Sequence, residues 1–258
     1  MSSTGEESVT AAGNSTAELT ATPVTAVKKA DWSTHYWDAK KVANLITSSS
    51  DLVTLQTTEE GGRKFSVHKA LLCHYSPYFN SALNGNFSEA KDGLHPLAIN
   101  EQVVTRFIGW LYTRNSFCST LPEDRPSASS LYIFADRYDV LALRRDCLNM
   151  LSSLTRRNII TSYTSVVNAY GNLPESSPYL RALEQTYICK WTPDLDSIGD
   201  QDATRATAPS NFLAAVMVGK ARRNGSGDHR PGCCCYNVCR FHEHESDEER
   251  EASKPSPF

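Results

Sequence analysis

The sequence predicts an α+β fold: a small mixed three-stranded sheet with flanking helices, a helical C-terminal extension, and disordered termini. Two observations lead there. Every β-rich run lies before residue 101, and beyond it apolar residues recur at helical intervals, so strands and helices are segregated rather than alternating. Residues 1–30 are rich in Ser, Thr, Ala and Gly, and residues 224–258 hold charges and breakers, so neither end offers a core.

The elements follow in order. "YWDAKKVANLI" spaces Tyr36, Trp37, Val42, Leu45 and Ile46 as a helix does. "DLVTLQT" (51–57) reads as a first strand, "EEGG" (59–62) breaks it, and "RKFSV" (63–67) resumes as its hairpin partner. "HKALLCHYSPYFNSAL" forms two short helices, with Pro77 at a first helical position and Ser76 as the cap before it. "LHPLAIN" (94–100) supplies a third strand, and Pro96 places it at a sheet edge. "EQVVTRFIGWLYT" sets Val103, Val104, Phe107, Ile108 and Leu111 on one helical face. Helices then follow over 127–139, 140–154, 156–171, 177–191 and 209–223, the third from the spacing of Ile159, Tyr163, Val166 and Tyr170.

Composition narrows the function. A net charge of −3 gives no basic footprint, which argues against nucleic acid as a partner. No apolar run of about 18 residues occurs, so no membrane span is expected. The start, "MSSTGEESVT", lacks the apolar stretch of a secretory signal, and an intracellular setting, cytoplasm or nucleus, is the expectation. The eight cysteines then read as thiols or metal ligands rather than a disulfide frame, with Cys73, Cys118, Cys147 and Cys189 as small core residues. No G-x-S-x-G, H-E-x-x-H or P-loop pattern is present. Cys73 and His74 are neighbours on a helix and point apart, so they make no nucleophile and base, and no enzyme is expected.

The stretch "DLVTL…FSVHKALLCHYSPYFNSAL…FSEA" carries Asp51, Phe65, Val67, His68, Lys69, Leu72, Ser76 and Phe79 in order. With "FIGWLYT" (107–113) and "LYIFADRYDV" (131–140), it resembles a BTB/POZ domain, a protein-interaction module, over roughly residues 38–153. The layout of a Ser/Thr-rich leader, one such domain and a Cys/His tail is similar to that of fungal BTB-domain proteins. The expected organisation is a leader (1–30), a BTB/POZ domain (31–154), a helical extension (155–223) and a mostly disordered tail (224–258).

The resemblance implies homodimerisation through the N-terminal helix and first strand, with Val42, Leu45, Ile46 and Leu52 as apolar candidates. Those residues packing only within their own domain is the competing reading. Asp51 and Lys69 meet at one end of the sheet as a charged pair, and His68 reads as a core or capping histidine. A second implied partner is a cullin scaffold, docked through Phe87-Ser88-Glu89 with the protein as a ubiquitin-ligase substrate adaptor; a solvent loop with one tucked Phe is given equal weight. The tail segment "CCCYNVCRFHEHE" (233–245) has enough donors for zinc through Cys235, Cys239, His242 and His244. A plain charged tail takes precedence, because the ligands are compressed into one segment without an apolar core; zinc comes second.

Overall fold

In the computed structural model the described residues are 33–58, 62–85, 93–114, 128–196, 205–223 and 238–252. Helix α1 (Ala39–Ser48) begins at Asp38, whose carboxylate accepts from the Lys41 N–H at 2.6 Å. Three strands follow: β1 (Leu52–Thr57), β2 (Lys64–His68) and, after two helices, β3 (Leu94–Leu97). Their spatial order is β2-β1-β3, antiparallel on one side of β1 and parallel on the other. Val53 sits opposite Val67 and Leu55 opposite Phe65, so Val53, Leu55 and Thr57 enter the core together. Pro96, which has no N–H for a further ladder, lies exposed on the edge strand as expected.

Helices α2 (Lys69–Tyr75) and α3 (Pro77–Asn84) make the crossover to β3 and meet at Ser76. Its hydroxyl accepts from the Phe79 N–H at 2.9 Å and donates to the Tyr138 carbonyl at 2.6 Å. One buried side chain therefore starts α3 and ties it to a residue 62 positions away. Ser76→Ala removes the cap and leaves a buried acceptor short of a partner. The expected loss is about 1–3 kcal/mol, read as a lower urea midpoint with an unchanged m-value.

Helices α4 (Glu101–Thr113), α5 (Ala128–Arg137) and α6 (Leu141–Arg156) close the core. Phe79, Phe107, Trp110, Phe134 and Tyr138 form its aromatic centre, with Phe107 and Phe134 ring centroids 4.5 Å apart. Helix α4 stops at Arg114, left-handed at φ 58°, and the Arg114 guanidinium grips Asp146 of α6 at 2.7 and 3.0 Å.

The extension contains α7 (Tyr163–Asn172), α8 (Pro178–Lys190), the short α9 (Pro193–Asp196) and α10 (Ser210–Arg223). Helix α7 starts later than its apolar spacing predicts. Asn158, at φ 58°, ends α6 in a Schellman motif: the Ile159 N–H donates to the Leu154 carbonyl at 2.9 Å and the Asn158 N–H to that of Thr155 at 3.1 Å. Ser162 then caps α7, its hydroxyl accepting from the Ser165 N–H at 3.3 Å, and Ile159 is left outside, exposed. The core continues into this extension: Tyr179 of α8 stacks on Tyr132 of α5 at 4.4 Å, and its hydroxyl lies 3.1 Å from that of Ser129. A second, smaller cluster joins Tyr163, Val166, Tyr187, Phe212 and Val216.

Within the tail expected over 224–258, residues 238–252 are described. They form a 3-10 turn (Val238–Arg240) and α11 (Asp247–Ala252), packed against α6 and residues 33–37. The reason is a charge on α6 that this segment neutralises. Among the described residues no helix is long and apolar enough to cross a membrane.

Candidate functional site

Helix α6 carries two consecutive arginines with different surroundings. Arg144 is partly buried and pairs with the more exposed Glu243 at 2.9 Å and Asp139 at 3.3 Å. Arg145 is turned inward and is 2% exposed. A guanidinium cannot shed its charge when buried, so it requires acceptors. They come from both ends of the described chain: Glu249 Oε1 at 2.6 Å, the His35 carbonyl at 3.3 Å, and the Glu243 carbonyl. The Tyr36 ring lies 4.9 Å away as a cation–π partner.

Glu249 is wholly buried on the other side of this pair. Its carboxylate accepts from Arg145, from the Tyr36 hydroxyl at 3.2 Å and from the Glu245 N–H at 2.7 Å, with His35 Nδ1 at 2.8 Å. Burial alone would raise the carboxyl pKa, but these donors outweigh it and hold it at about 2.

The histidines of the tail adjoin this pair. His244 Nδ1 lies 3.4 Å from the Tyr36 hydroxyl and 3.8 Å from Glu249 Oε2, while its Nε2 is 3.0 Å from Cys239 Sγ. The His242 and His244 rings are 5.5 Å apart, and His242 Nε2 is buried without a hydrogen-bond partner. Burial, with His244 and Arg145 adding to it, brings His242 down to about 4, and burial beside Arg145 lowers His244 as well. Three of the four donors named from sequence, Cys239, His242 and His244, are thus brought together; Cys235 lies outside the described residues.

The Asp51–Lys69 side-chain pair does not form among the described residues. The two meet through the backbone, the Lys69 N–H donating to the Asp51 carbonyl at 2.9 Å. Lys69 opens α2, whose first N–H groups need acceptors, and the strand end supplies one. His68 makes a backbone and a ring contact with the Tyr112 hydroxyl, at 3.1 and 2.7 Å, and caps nothing with its side chain. The Cys73 thiol is pushed up by burial and accepts from Asn84 Nδ2 at 3.5 Å, while His74 Nε2 lies 3.3 Å from the Ser33 carbonyl.

On the dimer candidates, Val42 is buried in its own core, Leu45 and Ile46 are half-buried, and Leu52 is 55% exposed where β1 begins. Phe87 and Glu89 lie outside the described residues. Sequence reasoning missed His35, Tyr36, Arg145 and Glu249. An arginine among the apolar residues of α6, with Ala142, Leu143, Cys147 and Leu148 also buried, was the signal that could have pointed to one of them.

Residues 48–154 match the family model of the BTB/POZ domain. The three-stranded mixed sheet and surrounding helices are the fold of that domain, which is a protein-interaction module and generally not an enzyme. No curated protein matches the chain.

Proposed function

We propose that this chain is a self-associating recruitment module, in which a second copy covers the surface formed by α1 and the start of β1. The observation that carries the reading is Leu52, a large apolar side chain 55% exposed four residues after α1 ends. Half-buried Leu45 and Ile46 on that helix add apolar area to the same stretch of chain, whereas Val42 is occupied by its own core. With 55% of Leu52 still exposed, covering it on association contributes on the order of 1 kcal/mol, about one decade of affinity. Light scattering after size-exclusion chromatography is expected to give twice the 28.5 kDa chain mass at micromolar concentration. Leu52→Lys is expected to return it to the chain mass with its circular dichroism unchanged. A wild-type monomer at high concentration would sink the proposal.

A second reading, an adaptor that presents substrates to a cullin scaffold, is favoured by the helices α7 and α8, which continue the BTB core rather than forming a separate unit. The docking residues would be Phe87 and Glu89. Affinity capture with mass spectrometry separates the two, since recovery of a cullin that Phe87→Ala abolishes belongs only to the adaptor.

A further inference from the structure

Cys239, His242 and His244 each offer one ligand atom, and these atoms all lie within 4.8 Å of one another. The turn that places them is closed by the His244 N–H donating to the His242 carbonyl at 3.1 Å. Two features mark this as more than crowding. His242 Nε2 is buried and has no hydrogen-bond partner, an arrangement that folded proteins ordinarily avoid unless something else binds the atom. His244 directs Nε2 at Cys239 Sγ, while its other nitrogen faces the Tyr36 hydroxyl and Glu249 Oε2. A histidine oriented on one nitrogen by a carboxylate or hydroxyl, with the other turned toward a fellow donor, is the arrangement by which proteins orient metal-binding imidazoles.

We infer that Cys239, His242 and His244 bind one zinc ion, which fastens residues 238–252 onto α6 and residues 33–37. One thiolate and two imidazoles are the donors zinc takes, and hard oxygen-seeking cations such as magnesium or calcium are poorly served by them. Around a tetrahedral zinc, with ligand bonds of about 2.0–2.3 Å, neighbouring donors sit roughly 3.3–3.6 Å apart. The 3.0 Å between Cys239 Sγ and His244 Nε2 therefore opens by about half an ångström when the ion enters. Binding deprotonates Cys239 and supplies the partner that His242 Nε2 lacks. Because Glu249 faces both His244 and Arg145, the ion and the buried ion pair hold the same segment from adjacent points. The site stands independently of self-association.

The test uses the full chain, loaded with zinc and desalted. Elemental analysis is expected to find one zinc per chain, unchanged in Cys73→Ser. Cys239→Ser and His242→Asn are each expected to weaken zinc binding at least tenfold in competition with a chromogenic chelator. Hydrogen exchange should show residues 238–252 losing protection when the metal is stripped, while 128–156 keep theirs. Should either variant fail to fold, cobalt(II) titration of the wild type decides: tetrahedral visible bands with the charge-transfer intensity of a single thiolate support the site. Wild-type chain without bound zinc, full zinc content in a folded Cys239→Ser, or a cobalt spectrum of several thiolates would each overturn it.

Discussion

Replacing Trp110 with alanine is expected to cost about 3–5 kcal/mol, the range for deleting a fully buried aromatic. For a chain of this size that is a fall in melting temperature on the order of 10 °C. The indole is 0% exposed and packs against Tyr75 and Phe107, with ring centroids 5.5 and 6.3 Å away. It also donates from Nε1 to Asp146 Oδ2 at 2.9 Å, which links α4 to α6. Trp110→Phe separates the two contributions. It keeps most of the apolar volume but removes one donor from Asp146, which retains the Arg114 guanidinium. A loss of about 1–2 kcal/mol is expected there. An alanine variant melting within about 2 °C of wild type would show that the centre of this core is not where the stability lies.

Removing Glu249 is expected to release the C-terminal segment. Breaking a buried ion pair by deleting one partner typically costs about 3–5 kcal/mol, because the remaining charge stays desolvated. Here the chain has a cheaper response: residues 238–252 can lift away and let water reach Arg145. The penalty is then capped at the free energy that docks the segment. Glu249→Ala should therefore abolish amide protection across 238–252, with a smaller change in α4 and α5. Arg145→Met should do the same for a different reason, leaving Glu249 without its closest donor, 2.6 Å away. The double variant Arg145→Met/Glu249→Leu has no buried charge to satisfy and is expected to recover much of the loss, a non-additivity measurable by a double-mutant cycle. Strict additivity would mean that the pair contributes nothing as a pair.

Local chemistry made much of the fold legible. Pro77 and Ser76 mark a helix start in any context, because a ring without an N–H and a hydroxyl that caps N–H groups act within one turn. Pro96 could only stand at an edge, and the apolar rows of α4 to α6 and of α8 follow from helical spacing. The same spacing misplaced the start of α7, since Ile159 continues the period in sequence while Asn158, in the left-handed conformation, interrupts the backbone. Cys239, His242 and His244 were also readable as a group, being five residues apart at most.

What the sequence determined by itself is therefore whatever is encoded within a few residues: the strand and helix runs, their caps, the edge strand and the donor spacing of the tail. The tertiary structure alone decided that Asp51 and Lys69 meet by backbone, and that the segment 238–252 is packed. It alone brought Glu249 to Arg145, 104 residues away, and the His35 carbonyl to the same guanidinium across 110 residues. No local pattern specifies which carboxylate reaches a buried guanidinium. That choice follows from burying α6, because an arginine that cannot lose its charge must find acceptors wherever the folded chain can supply them.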